Sequence, residues 1–124
     1  MAETPDYDLE PMLDAVRDFI RKDVIPREAE IDENDEVPAE LRETAKRMGL
    51  FGFTIPEEYG GLGLGVVDQC RLLIEVGYTT PALRSMFSTN VGIAGQVIMD
   101  AGTPEQKERW LPRLASGEAV ASFA

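Results

Sequence analysis

Gly102-Thr103-Pro104-Glu105-Gln106-Lys107-Glu108-Arg109-Trp110-Leu111-Pro112-Arg113-Leu114-Ala115-Ser116-Gly117-Glu118 is the stretch that decides how this chain is built. Thr103 and Gln106 stand three apart. At that spacing a threonine hydroxyl accepts from the third helical N–H while the glutamine side chain reaches back to the cap. Pro104 takes the first helical position, where its missing N–H removes no bond, and Glu105 sets a carboxylate against the positive helix end. The pattern predicts a helix that buries Trp110, Leu111 and Leu114 and stops at Gly117. Pro112 lacks a ladder donor and is expected to kink or split it. Beyond Gly117, Glu118 to Ala124 reads as an extended strand without a partner, so the chain is expected to continue.

Upstream lies the longest uncharged stretch, the 15 residues between Arg84 and Asp100. Thr80-Pro81 opens it as cap and first position, and Gly102 closes it. Leu83, Met86, Phe87, Ala94, Val97 and Ile98 are interleaved with serines, Thr89, Asn90 and glycines. An uncharged helix of this kind is expected to be buried all round. Its small and hydroxyl residues mean either close packing or a cavity wall. A third helix, Val67 to Tyr78, carries Cys70, Leu73, Ile74 and Gly77 at i, i+3, i+4, i+7, predicted to face the core. Cys70 then reads as a small buried hydrophobe, not a catalytic thiol, since the chain has no histidine to activate it.

Four glycines between Gly60 and Gly65 forbid a regular element, and the surrounding apolar residues make this a packed loop. It lacks both the GxGxxG pattern and a Walker lysine, so phosphate binding is not expected. A helix opening near Pro38 buries Leu41, Ala45 and Met48 and ends at Gly49. The acidic run Glu28–Glu36 is a solvated face with room for one short helical turn. Asp8 to Val24 has the 3/4 spacing of an amphipathic helix, capped by Asp8 and ended where Ile25 precedes Pro26.

The 124 residues are one domain's worth, with net charge −11. That sign excludes nucleic acid or an anionic membrane as main partner. Without histidine there is no Ser-His-Asp site and no His-ligated metal, and a lone cysteine cannot form an intrachain disulfide. The acidic opening Met1–Asp6 is unlike a signal peptide, no stretch is apolar enough to span a membrane, and the expected location is cytoplasmic. No carboxylate pair stands out as acid and base. The residues themselves give an all-α domain of five or six helices ending in an orphan strand.

The segment 102–118 resembles a hallmark of acyl-CoA dehydrogenases, as does Phe53-Thr54-Ile55-Pro56-Glu57-Glu58-Tyr59-Gly60-Gly61-Leu62-Gly63. The opening helix, with Arg17-Asp18-Phe19 before Val24-Ile25-Pro26, fits as well. The resemblance covers nearly the whole chain, in order and spacing. It implies an N-terminal helical domain over residues 1–117 and the start of a middle β domain over 118–124, with a C-terminal four-helix domain beyond. Such enzymes oxidise a fatty acyl-CoA between its α and β carbons. A glutamate takes the α proton, FAD takes the β hydride, and an electron-transfer flavoprotein receives the electrons in most members. Members are commonly homotetramers.

The resemblance also assigns sites. By position, Ser85, Met86, Thr89, Asn90 and Ile93 are implied to face the fatty tail, tipping the uncharged helix towards lining. Phe123 and Ala124 match the first residues of the flavin-contacting segment. The threonine that hydrogen-bonds the flavin and the catalytic glutamate have no match in these 124 residues. This chain alone is therefore not expected to hold FAD tightly or to catalyse. Two other readings stand beside this one: a stand-alone helical interaction module, and the N-terminal domain of a related flavin oxidase or monooxygenase.

Overall fold

The computed structural model describes residues 7–124; the acidic opening Met1–Asp6, and the signal-peptide reading made on it, lie outside them. Its helices are α1 (Glu10–Asp18), α2 (Glu28–Asn34), α3 (Ala39–Arg47), α4 (Val66–Val76), α5 (Pro81–Ser88), α6 (Gly95–Ala101) and α7 (Pro104–Ala115). Two π-helical segments, Phe19–Val24 and Thr89–Ala94, continue α1 and join α5 to α6.

The N-cap of α1 is Leu9, which has no side-chain cap bond, and not Asp8 as expected; Asp8 sits one residue earlier, where its Oδ1 accepts from the Glu10 N–H at 3.0 Å. The helix does not stop before Pro26. Ile25 keeps helical angles, and a 3₁₀ turn, Ile25–Arg27, leads straight into α2. The π segment ends there, so Pro26 enters a first-turn position where no helical bond is forfeited. The acidic run is thus a helix, anchored on buried Ile31 and ended by Asp35 in the left-handed region at φ 51°.

α3 follows Pro38, buries Leu41 and Ala45, and ends at Gly49 with φ 77°. The loop to α4 folds back on itself. Gly61 N–H donates to Pro56 O, and a Cβ at Gly61 would stand 1.9 Å from Ile55 O, so only glycine fits.

The main core joins α1, the first π segment, α3, α4 and α5. Phe87 lies at its centre, edge-on to Phe51 and Phe53 at centroid distances of 6.0 and 6.3 Å. Burying each ring contributes about 2–3 kcal/mol, and each edge-to-face pair about 0.5–1.5 kcal/mol more. A second cluster, Ile55 with Leu111, Leu114 and Ala115, seats α7.

Further expectations change. In α4 the buried residues are Leu72 and Val76; Cys70, Ile74 and Gly77 face outward. The helix has two apolar stripes, and α1 packs on the other one. The uncharged run from α5 to α6 is buried on one side only, with Val97 59% exposed. α7 runs unbroken through Pro112, and Trp110 is partly exposed, with the Arg109 and Arg113 guanidinium carbons 5.1 and 5.3 Å from its ring centroid. The capping box at Thr103 and Gln106 is present as read.

Among the described residues no strand forms. Residues 120–124 have no regular secondary structure, because a strand needs a neighbour to share its hydrogen bonds and none is present.

Candidate functional site

The π segment Thr89–Ala94 organises the site. Gly95 N–H donates to Asn90 O, five residues back, so this turn holds one residue more than an α-turn. A Cβ at Gly95 would lie 2.4 Å from that same oxygen, and glycine is what lets the wide turn close. Asn90 and Val91 are buried, while Ile93 and Val97 face outward.

Thr89, Ile93, Ala94, Val97 and Ile98 form one side of an apolar groove of about 200 Å³; Ser122 and Phe123 form the other. No titratable side chain lines it. Its chemistry is that of a container: it can exclude water from an apolar chain and position it, but it has no group to move a proton.

The remaining expected site residues are dispersed. Met86 is on another side of the helix, in a surface groove of about 440 Å³ with Ile31 and Val37. Ser85 is exposed. Asn90 is fully buried, and its carboxamide holds three backbone groups of residues 114–121. Phe123 is 79% exposed and Ala124 is exposed. Phe123 and Ala124 by themselves do not enclose a flavin.

Val97, Ile98 and Ser122 were not singled out by sequence reasoning, although Val97 repeats the apolar character of Ile93 one turn on. No metal-binding cluster of carboxylates or thiolates exists among the described residues. The shifted groups lie away from the groove. Arg27, through a two-pronged hydrogen bond, holds the Glu30 carboxyl below its ordinary range.

Comparison with known proteins gives one consistent result. The family model for the acyl-CoA dehydrogenase N-terminal domain matches residues 7–118. An acyl-CoA dehydrogenase of Bacillus subtilis is 34% identical over 109 residues, covering 88% of this chain and 29% of the relative. A glutaryl-coenzyme A dehydrogenase solved with glutaryl-CoA superposes with a TM-score of 0.81 at 28% identity, over 95% of this chain and 31% of the other. An acyl-CoA dehydrogenase of Bacillus anthracis complexed with FAD gives 0.75 at 30% identity, over 94% and 20%. The chain spans between a fifth and a third of the length of these proteins.

Proposed function

Because this chain belongs to the acyl-CoA dehydrogenase family, as its N-terminal helical domain, we propose that it supplies one wall of the acyl site in an FAD-dependent enzyme. That enzyme oxidises a fatty acyl-CoA thioester to the enoyl-CoA, and this domain also docks the middle β and C-terminal helical regions. The observation that carries the reading is the apolar groove in which Thr89 and Ile93 face Phe123. Residues 1–117 form the helical domain in this reading, and 118–124 lead into the β domain.

The chain's own contribution is physical. Ile93, Val97 and Ile98 remove methylene groups from water, each worth about 0.8 kcal/mol when buried. Thr89 sets the depth available to the tail. Proton abstraction, flavin binding through the segment begun by Phe123 and Ala124, and hydride acceptance belong to the rest of the enzyme. An electron-transfer flavoprotein as electron acceptor, a homotetramer as assembly and the cytoplasm as location complete the proposal. A solved chain described with the electron transferring flavoprotein of Acidaminococcus fermentans is similar to this one, with a TM-score of 0.78 at 28% identity, which supports that choice of acceptor.

A graft tests the reading. Residues 7–124 replace the matching segment of the Bacillus subtilis acyl-CoA dehydrogenase, and acyl-CoA-dependent bleaching of the flavin is followed. Turnover on at least one acyl-CoA is the expected result. A folded, flavin-loaded graft that reduces its flavin with no acyl-CoA rejects the proposal.

A further inference from the structure

We infer that Asn90 is a positioning residue: its buried carboxamide fixes the path of residues 119–121 and so holds Phe123 across the groove from Thr89 and Ile93. The Asn90 amide nitrogen donates to Leu114 O at 3.1 Å and to Ala119 O at 2.9 Å. Its oxygen accepts from the Ala121 N–H at 2.8 Å. Both donors and one acceptor are used, and only one orientation of the amide satisfies all three partners.

The position is otherwise a core position. Asn90 is 0% exposed and is the single buried polar or charged residue described. A carboxamide there is unfavourable unless its hydrogen bonds are made, whereas an aliphatic side chain would simply pack. The bonds made are to residues that have no regular secondary structure of their own. Beyond Gly117 the described backbone bonds include only Ala119 N–H to Arg113 O, so Ala119 O and Ala121 N–H depend on Asn90.

The consequence reaches the groove by chain geometry. Phe123 is two residues past Ala121, so pinning Ala121 confines the Phe123 Cα to within about 7 Å of it. The π turn makes this possible. The six-residue π segment holds both an inward pair, Asn90 and Val91, and the outward Ile93. One element thus carries both the pin and the wall that faces the pinned residue. That the groove so shaped receives an acyl chain rests on the function proposed above; the clamp itself does not.

The test uses the isotope-labelled 124-residue chain in solution. In the parent, the Ala121 amide exchanges about 10–100-fold more slowly than an unstructured amide, and the Phe123 ring shows cross-relaxation to methyls of Ile93, Val97 or Ile98. Asn90→Leu keeps the branching at Cγ, with a larger volume, and removes all three bonds. It is expected to abolish both signals while the Val16 and Leu72 amides stay protected. Ala121→Pro deletes one N–H outside the core and should abolish the Phe123 signal too, which decides the matter if Asn90→Leu does not fold. An unprotected Ala121 amide in the parent, or Phe123 contacts that survive in the folded variants, overturns the inference.

The grafted enzyme supplies a second readout. There Ala121→Pro raises KM for long acyl-CoA by more than about 3-fold with kcat little changed; equal KM values overturn the link between clamp and groove. An inactive parent graft rejects the functional reading alone, and the exchange measurement still judges the clamp.

Discussion

Arg17 holds the Glu75 carboxylate with two hydrogen bonds, 2.6 Å from Nη2 and 3.2 Å from Nε, across 58 residues of sequence. This joins α1 to α4 at a point where Glu75 is largely shielded, its side chain 12% exposed. The planar guanidinium matches the carboxylate with little freedom left to lose. Arg17→Ala should therefore lower the melting temperature more than Lys22→Ala, whose partner Asp18 lies in the open one helical turn away. Thermal unfolding of both variants at low and high salt checks this, with equal losses counting against it.

Acid stability should depend on Glu30. Arg27 donates to it twice at 2.8 Å and keeps its carboxyl below the ordinary value of 4.5. In the window just below 4.5 the unfolded chain binds this proton more readily than the folded one, so stability rises with pH there. The contribution is complete above that window and is lost as pH falls through the lowered value. Glu30→Gln should melt below the parent at pH 7, and the gap should narrow as pH falls below 4.5.

Glycines in the two loops and helices differ in what they permit. Gly61→Ala drives a methyl into Ile55 O and should cost about 2–4 kcal/mol. Gly92 has open space around it and helical backbone, so Gly92→Ala should be neutral or stabilise by up to about 1 kcal/mol. Urea midpoints of the two variants test the contrast.

Cys70 is exposed on α4. A disulfide reagent should titrate one thiol in the native chain without denaturant, and Cys70→Ser should leave the melting temperature within about 1 °C of the parent. Labelling that needs unfolding would return Cys70 to the core.

Thr89→Phe should shift the graft's preference towards shorter acyl-CoA substrates. A phenyl group at this position fills part of a groove of about 200 Å³. Comparing kcat/KM across a chain-length series checks it, and an unchanged profile would mean that Thr89 only packs.

Local rules were legible wherever a few neighbouring residues settle the matter. The capping box at Thr103 and Gln106, the left-handed stop at Gly49 and the amphipathic α1 all follow from short-range hydrogen bonding and periodicity. Which face of α4 turns inward did not follow. Its sequence carries two apolar stripes, Cys70-Ile74 and Leu72-Val76, and periodicity weighs them equally. The π turns were invisible for a related reason. An α-helical spacing and a spacing with one inserted residue differ by only one position, and neither Ile25 nor Gly95, on which the two turns close, announces the insertion.

The sequence by itself determined an all-helical domain, the caps at Thr80 and Thr103, the stop at Gly49, and the family to which it belongs, because these rest on bonds and motifs between residues close along the chain. The tertiary structure alone decided which stripe of α4 is buried, which of the expected residues meet in one groove, and that Asn90 grips the chain 24 to 31 residues away. Those outcomes depend on how helices pack against one another, and packing is a property of the assembled whole that no local pattern encodes.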